Sequence, residues 1–295
     1  MKSTQARTMA GTQGFAAMTD GARIGWRAWG EETAARPVVM LHGGPGLPDY
    51  LGELAPAVAD LTRVYCYDQR GTGASGWQGR HTFARHIDDL AELLDAWDAP
   101  EAVLIGHSYG TDLAGRFCLA HPGRVSAMLL LCGPFTGNWR AGYREEVARR
   151  VTAAQQERLS ELEALAQRTE EQEVELLTLA WFTDHADPRQ GWDWAAAGAR
   201  TRRPVNWLMN RELGAQGRAD LLDLHLDELR AALPAQVEIL GGDRDPRPIA
   251  ELETLAHRLE VPLTRIEDAG HEPWRERPDA VHAQLRRFVR AALAP

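Results

Sequence analysis

Residues 102–110 read Ala-Val-Leu-Ile-Gly-His-Ser-Tyr-Gly and combine an apolar run with a glycine-bounded turn. The first four residues are apolar and predict a buried strand, and the segment that follows has helical spacing. Gly106, Ser108 and Gly110 match the pattern Gly-x-Ser-x-Gly at the point where the strand meets the helix. With five serines and 27 glycines in 295 residues, roughly 0.04 chance matches are expected per chain. The pattern therefore indicates a nucleophilic serine on a tight, strained turn.

Apolar runs and amphipathic helical stretches alternate on both sides of this segment. The predicted strands are 15–19, 23–29, 37–41, 63–67, 102–105, 125–131, 237–240 and 261–266. Asp20 and Gly21, between the first two strands, form a strong hairpin turn signal. The predicted helices are 49–59, 82–97, 110–119, 219–233, 249–259 and 278–293. Continuous apolar strands separated by helices predict an α/β fold, with a parallel sheet covered by helices on both faces.

A long insertion interrupts this alternation between residues 135 and 217, where no strand is predicted. Its first half, 140–179, is helical in pattern and heavily charged, which favours a solvated face. The insertion holds five of the ten tryptophans: Trp139, Trp181, Trp192, Trp194 and Trp207. We expect a helical cap over the sheet, so that the core consists of 1–134 and 218–295 and the cap of 135–217. The tryptophans favour a substrate with a bulky apolar or aromatic group.

Ser108 needs a base and a carboxylate to act as a nucleophile, and two later loops offer them. His271 lies in a loop after the last predicted strand, and the other nine histidines are less well placed. Asp245 lies in the loop after strand 237–240, with Asp243 as the alternative acid. Ser108, Asp245 and His271 are therefore the predicted catalytic residues.

Backbone N–H groups must stabilise the negative charge that develops on the substrate oxygen. The predicted donors are Tyr109, at the start of the helix after the nucleophile, and Gly44, in a glycine-rich loop. A glycine there allows the backbone to approach a substrate closely. His42 and His107 lie beside motif residues, and we expect structural roles for both.

Composition narrows the classes of protein that fit. The chain is 44% hydrophobic and 25% charged with a net charge of -9, which argues against a nucleic-acid or acidic-membrane binder. No run approaches the ~18 apolar residues of a membrane span, and residues 1–14 lack the apolar core of a signal peptide. Cys66, Cys118 and Cys132 are expected to be buried thiols without metal-ligand spacing. We expect a cytoplasmic protein with no metal or cofactor, acting on a small molecule or short peptide.

Five motifs together resemble the α/β-hydrolase superfamily, and in particular its proline iminopeptidase branch. They are His-Gly-Gly-Pro-Gly at 42–46, Asp-Gln-Arg-Gly-x-Gly at 68–73, Gly-x-Ser-x-Gly at 106–110, Gly-x-x-Asp at 242–245 and Gly-His-x-Pro at 270–273. The chain order nucleophile, acid, histidine is also that of the superfamily. The resemblance covers about 15–134 and 218–295. It implies an eight-stranded, mostly parallel sheet, a helical cap, a metal-free serine mechanism, and Gly44 and Tyr109 as the oxyanion hole.

The insertion departs from the proline iminopeptidase pattern. The resemblance implies that the cap binds the free N-terminal amine of a peptide substrate through glutamates. Asp184 and Val205 stand at the corresponding positions here, beside Trp181 and Trp207. On this basis Trp181, Asp184 and Trp207 are the predicted substrate-binding residues, and uncharged apolar esters are favoured over prolyl substrates.

The leading hypothesis is a serine hydrolase that cleaves an ester, lactone, thioester or amide bond of a small molecule through an acyl-enzyme. The alternatives are a proline iminopeptidase-like aminopeptidase, an acyl-transfer or cyclising enzyme, and a non-catalytic receptor with a hydrolase fold. Haloalkane dehalogenases and epoxide hydrolases are disfavoured, because they need an aspartate where Ser108 stands.

Overall fold

An eight-stranded sheet forms the centre of the computed structural model, which describes residues 11–32, 36–134 and 136–294. The strands are β1 Thr12–Ala17, β2 Arg23–Trp29, β3 Val38–Leu41, β4 Val64–Tyr67, β5 Ala102–His107, β6 Val125–Leu131, β7 Val237–Gly242 and β8 Leu263–Ile266. Their order across the sheet is β1-β2-β4-β3-β5-β6-β7-β8. Strand β2 pairs antiparallel with β1 and β4, and the other neighbours are parallel. The expected eight-stranded, mostly parallel sheet is confirmed.

Some helices of the described residues cover the two faces of this sheet, and others form the insertion after β6. The helices are α1 Phe83–Ala96, α2 Tyr109–Ala120, α3 Trp139–Arg150, α4 Ala153–Ala164, α5 Glu170–Trp181, α6 Pro188–Thr201, α7 Trp207–Ala219, α8 Leu226–Ala232, α9 Ile249–Leu259, α10 Pro273–Glu276 and α11 Pro278–Ala292. Helices α1, α2, α8 and α9 pack their apolar residues against one face, and α11 packs against the other. None of the helices in the described ranges combines the length and apolarity needed to cross a membrane.

Local hydrogen bonds decide several elements near the start of the chain. The β1–β2 hairpin forms as predicted, with Met18 N–H donating to the carbonyl of Ala22 at 2.8 Å. The predicted helix 49–59 is instead two short 3-10 turns, Leu51–Glu53 and Ala55–Ala57. Pro56 lies in the second turn and has no N–H to donate to the turn before it, so a continuous α-helix is disfavoured here. Residues 1–10 of the segment tested for a signal peptide lie outside the described residues.

The helices α3 to α7, which we call the cap helices, follow β6 and precede α8. The predicted helical stretch 140–179 is three helices, because Thr152 and Thr169 each begin a new helix with a capping box. Helix α7 ends at Ala219, two residues beyond the predicted limit of the cap. The other predicted limit, residue 135, lies outside the described residues. The domain boundaries therefore stay a prediction.

The cysteines have the predicted environment. Cys66, Cys118 and Cys132 are all free thiols and all buried. Burial raises the pKa of each thiol, so these side chains stay protonated and pack as apolar groups.

A buried ion pair joins the cap helices to the core. Arg202 follows α6, and its Nη2 lies 3.0 Å from Oε2 of Glu272, with a second contact from Nη1 to Oε1. The two side chains are 8% and 13% exposed, and the Arg202 guanidinium lies 4.1 Å over the ring of Tyr50. Burial alone would raise the pKa of Glu272, but Arg202 and Arg275 outweigh it and lower the pKa below 4.5. Glu272 is therefore an ionised carboxylate held by arginines from two elements.

We expect Arg202→Ala to destabilise the protein by about 3 kcal/mol, because it leaves a buried carboxylate with weaker compensation. Arg275 still contacts Glu272 at 2.6 Å, which keeps the loss at the lower end of the usual range. Arg230→Ala is the control, since its ion pair with Glu260 is 47% and 71% exposed, and such surface pairs contribute about 1 kcal/mol or less. Urea unfolding measures both changes; equal losses would show that the Arg202 pair is not a cap-to-core link.

The same ion pair predicts a pH dependence of stability. The pKa of Glu272 is lower in the folded protein than its ordinary value of 4.5. The ionised carboxylate therefore makes its full contribution to the free energy of unfolding above pH 4.5. The contribution is lost as the pH falls from 4.5 toward the folded-state pKa. In Glu272→Gln, the free energy of unfolding should therefore fall less steeply below pH 4.5 than in the wild type. Identical slopes would contradict an ionised Glu272.

Candidate active site

Ser108 occupies a sharp turn between β5 and α2. Its backbone has φ 54° and ψ -122°, in the left-handed region that L residues rarely adopt. A Cβ at Gly106 would lie 2.5 Å from the carbonyl oxygen of Gly110, and one at Gly110 would lie 1.9 Å from that of Leu41. Only glycine fits at these positions, so both glycines of the motif serve the close packing of α2 on the sheet.

The structure brings His271 against Asp245. His271 Nδ1 donates to Oδ2 of Asp245 at 2.6 Å, and the two side chains are 6% and 4% exposed. Burial alone would raise the pKa of Asp245, but His271 and Arg247 outweigh it and lower the pKa. Asp243, the alternative acid, is exposed. The loop after β7 therefore presents Asp245, and not Asp243, to the histidine.

Arg247 is a residue of the site whose contacts sequence reasoning missed. Its backbone N–H donates to Oδ1 of Asp245 at 2.9 Å, and its Nη1 lies 3.3 Å from the same oxygen. The same Nη1 lies 2.7 Å from Oδ1 of Asp184, between α5 and α6. The guanidinium also lies 4.8 Å over the ring of Tyr143. An arginine two residues after the predicted acid was the only signal in the sequence.

Asp184 has a different position from the one expected of a substrate-binding residue. Its carboxylate is paired with Arg247, and its carbonyl oxygen accepts the backbone N–H of His271 at 2.7 Å. A Cβ at Gly270 would lie 2.1 Å from that carbonyl oxygen, so glycine is required for this approach. Asp184 thus contacts both loops that carry the predicted acid and base.

A chain of hydrogen bonds holds His271 from the side of the core. His107 Nε2 donates to the carbonyl oxygen of His271 at 2.9 Å, and the Tyr50 hydroxyl donates to His107 Nδ1 at 2.6 Å. Gly43 N–H donates in turn to the Tyr50 oxygen at 2.9 Å. Burial first, and then the nearby His271, lower the pKa of His107, which keeps its ring neutral. These bonds give His107 the structural role expected of it.

Gly44 and Tyr109 lie beside Ser108, where an oxyanion hole is expected. Both line the cavity that Ser108 lines. Gly44 has φ 127°, and its N–H has no hydrogen-bond acceptor within the described part of the chain. Tyr109 is the first residue of α2, and the first N–H groups of a helix have no intrahelical acceptor. Two backbone donors are thus available at the nucleophile.

The cavity over Ser108 is small and more polar than expected. Its volume is about 220 Å³, below the ~300–1,000 Å³ of pockets for drug-sized ligands. Five charged side chains line it: Asp112, Arg116, Arg140, Asp223 and Arg247. This composition differs from the site for a bulky apolar or aromatic group that the tryptophans of the insertion favoured.

Of the five tryptophans in the insertion, Trp139 alone is among the described residues that line this cavity. Trp181 and Trp207 pack against the hydrophobic cluster formed by the cap helices themselves. The Trp207 indole Nε1 donates to Glu173 at 2.8 Å, also within the cap. Trp181, Asp184 and Trp207 are therefore not brought to Ser108, in contrast to the sequence expectation.

One triple of side chains has a spacing that suits a metal ion. Potential ligand atoms of His107, Cys132 and His271 lie within 4.8 Å of one another. Both ring nitrogens of His107 are already bonded, to Tyr50 and to the His271 carbonyl. Burial raises the pKa of the Cys132 thiol, which disfavours the thiolate that a metal needs. The donor set therefore does not fit a metal ion.

Known proteins resemble parts of this chain. It is 35% identical over 121 residues to a proline iminopeptidase of Heyndrickxia coagulans, which covers 40% of this chain and 42% of that protein. It is 33% identical over 104 residues to epoxide hydrolase B of Mycobacterium tuberculosis, which covers 34% of this chain and 29% of that protein. The matched stretches thus span less than half the length of these curated relatives.

Solved structures resemble the whole chain at lower identity. A proline iminopeptidase-related protein from Thermus thermophilus superposes with a TM-score of 0.68 at 23% identity, covering 97% of this chain and 99% of that one. An esterase from Exiguobacterium antarcticum gives 0.67 at 21% identity, covering 94% and 98%. At these identities the likeness shows the fold alone. Residues 36–273 match the family model described as alpha/beta hydrolase fold, and the chain belongs to that family.

Proposed function

We propose that this protein is a serine hydrolase that cleaves an ester, lactone, thioester or amide bond of a small molecule through an acyl-enzyme. The observation that carries the proposal is the 2.6 Å hydrogen bond between His271 Nδ1 and Asp245. The His271 loop is also hydrogen-bonded to His107, the residue before Ser108. Arg247, which contacts Asp245, lines the same cavity as Ser108. Arg247 therefore connects the Asp245 loop to the cavity that Ser108 lines, which supports the assignment of Asp245 and His271 as partners of Ser108.

The reaction follows from this arrangement. Ser108 Oγ attacks the substrate carbonyl while His271 Nε2 accepts the serine proton. Asp245, which accepts the Nδ1–H, holds the ring in the required tautomer and stabilises the imidazolium that forms. The backbone N–H groups of Gly44 and Tyr109 donate to the oxyanion. His271 then protonates the leaving group, and water attacks the acyl-enzyme with the same histidine as base.

The aminopeptidase alternative has partial support. The curated proline iminopeptidase is similar in sequence, and two carboxylates, Asp112 and Asp223, line the cavity. Asp112 is paired with Arg116 at 3.1 Å, and Asp223 accepts the N–H of Gly137 at 2.7 Å. Asp112 is thus committed to an arginine, whereas Asp223 keeps its charge and further acceptor capacity, so Asp223 is the carboxylate that could bind a substrate ammonium group. A panel of prolyl p-nitroanilide, p-nitrophenyl esters and lactones separates the activities, and a preference for prolyl substrates would favour the peptidase.

We expect Ser108→Ala to lose activity by about 10³-fold or more while the protein stays folded, because the triad acts as a unit. A fluorophosphonate probe should label Ser108 in the wild type and nothing in the variant, which peptide mass spectrometry will show. Ser160→Ala, on the exposed side of α4, is the matched control. Labelling of another serine, or an active Ser108→Ala protein, would refute the assignment. Absence of any turnover or labelling in the wild type would favour a non-catalytic receptor.

The two aspartates after β7 provide a second test. Asp245→Asn should reduce kcat by about 10⁴-fold, because an amide no longer holds the histidine in the required tautomer. Asp243→Asn should leave activity within about twofold, since that side chain is exposed. Steady-state kinetics with a p-nitrophenyl ester will rank the two variants. The reverse ranking would transfer the acid role to Asp243.

A further inference from the structure

The charged side chains that line the cavity over Ser108 are not equivalent. Arg247 is paired with Asp184 and Asp245. Arg116 is 8% exposed and is paired with Asp112 and Asp220. These two guanidinium groups have protein carboxylates as partners, which already balance their charge.

Arg140 differs from both. It lines the same cavity from the first turn of α3, and within the described ranges it forms no hydrogen bond or ion pair. Its guanidinium lies 4.5 Å over the ring of Trp139. Burial and the neighbouring cations Arg218 and Arg144 lower its pKa, with Asp112 as a smaller opposing influence. Arg140 is thus a partly buried cation that lines the same cavity as the candidate nucleophile.

The carboxylates of the cavity do not neutralise Arg140. Asp112 is bonded to Arg116 at 3.1 Å. Asp223 accepts the backbone N–H of Gly137 at 2.7 Å and forms no ion pair with Arg140. A cation that the fold leaves without an anion, in a site built to admit a ligand, is suited to an anion that the ligand supplies.

We propose that Arg140 binds a carboxylate of the substrate, so that the enzyme acts on small esters, thioesters or amides that carry a free carboxylate besides the bond that is cleaved. This inference rests on the proposed function, because it names the substrate class for the same cavity.

The chemistry of the cavity favours a carboxylate over other anions. A guanidinium presents its N–H donors as a planar fork that matches the two oxygens of a carboxylate. A phosphate dianion carries more negative charge than Arg140 alone can balance. The other two arginines of the lining are already paired with carboxylates. A volume of about 220 Å³ fits the carboxylate and the scissile bond within one small molecule. Arg144 and Arg218 add local positive charge, although the chain as a whole carries -9.

The test uses two pairs of esters in which one member carries a free carboxylate and the other carries the methyl ester of that carboxylate. The first pair is 4-acetoxybenzoate and its methyl ester, with the carboxylate on the leaving group. The second is mono-4-nitrophenyl adipate and 4-nitrophenyl methyl adipate, with the carboxylate on the acyl group. In at least one pair, the wild type should have a kcat/KM at least tenfold higher for the carboxylate.

Arg140→Met should reduce this ratio of kcat/KM values by about 10- to 100-fold, the range expected for a hydrogen-bonded charged group. Arg140→Lys should retain part of the preference, because the charge remains without the planar fork. Arg149→Met is the control: it removes the same charge from an arginine of α3 that is 73% exposed and lies outside the cavity lining, and the ratio should stay within about twofold. A ratio near one in both pairs, or an unchanged ratio in Arg140→Met, would overturn the proposal.

Binding measurements separate this inference from the proposed function. Calorimetry with the Ser108→Ala protein should detect 4-acetoxybenzoate but not its methyl ester, and Arg140→Met should abolish that binding. If the carboxylate binds while the fluorophosphonate fails to label Ser108, the hydrolase proposal fails and the Arg140 site stands. If Ser108 is labelled and no carboxylate preference appears, the Arg140 site fails alone. Tighter binding of inorganic phosphate than of 4-acetoxybenzoate would overturn the carboxylate assignment.

Discussion

The abrupt passage from β5 into α2 is the constraint on which the site depends. Because Gly110 allows α2 to begin against the carbonyl of Leu41, the helix starts at the carboxyl end of β5 without an intervening loop. The residue at the turn must then adopt a positive φ, and Ser108 does so at 54°. The strain is offset by the packing of α2, whose Leu113 and Phe117 are fully buried. One close contact between backbones thus positions the serine, the start of α2 and the glycine-rich loop around the same cavity.

Patterns within contiguous stretches of the chain led to reliable predictions. The alternation of apolar runs and helices predicted the parallel sheet, because buried strands and amphipathic helices have distinct periodicities. The pairing of His271 with Asp245 was also foreseeable, since loops at the carboxyl ends of parallel strands meet at one edge of the sheet. The choice between Asp243 and Asp245 was weaker, because it depends on which of two nearby side chains the loop turns inward. The catalytic roles of these residues remain predictions.

The interior of the insertion was not predictable in the same way. Trp181 and Trp207 pack among the cap helices, where their large apolar side chains fill the space between neighbouring helices. The direction in which a helix turns its tryptophans depends on crossings between helices, which no local pattern specifies. Likewise, the net charge of the chain does not reveal the local field of a cavity. That field depends on which arginines are already paired with carboxylates. Arg116 and Arg247 are paired, whereas Arg140 has no such partner among the residues that the structure describes.

Asp184 couples the insertion to the loops of the site through two separate groups. Its carbonyl oxygen holds the backbone of His271, and its carboxylate reaches Asp245 through Arg247. The insertion is therefore not a module that could be exchanged for that of another hydrolase without loss. A chimaera would have to retain the 182–185 turn together with its contacts to both loops. Arg150 at the end of α3 must be retained as well, because it donates to the carbonyls of Thr183 and His185. Natural or engineered changes of specificity have more freedom in the second half of α7, where Leu213, Gly214 and Gly217 line the cavity.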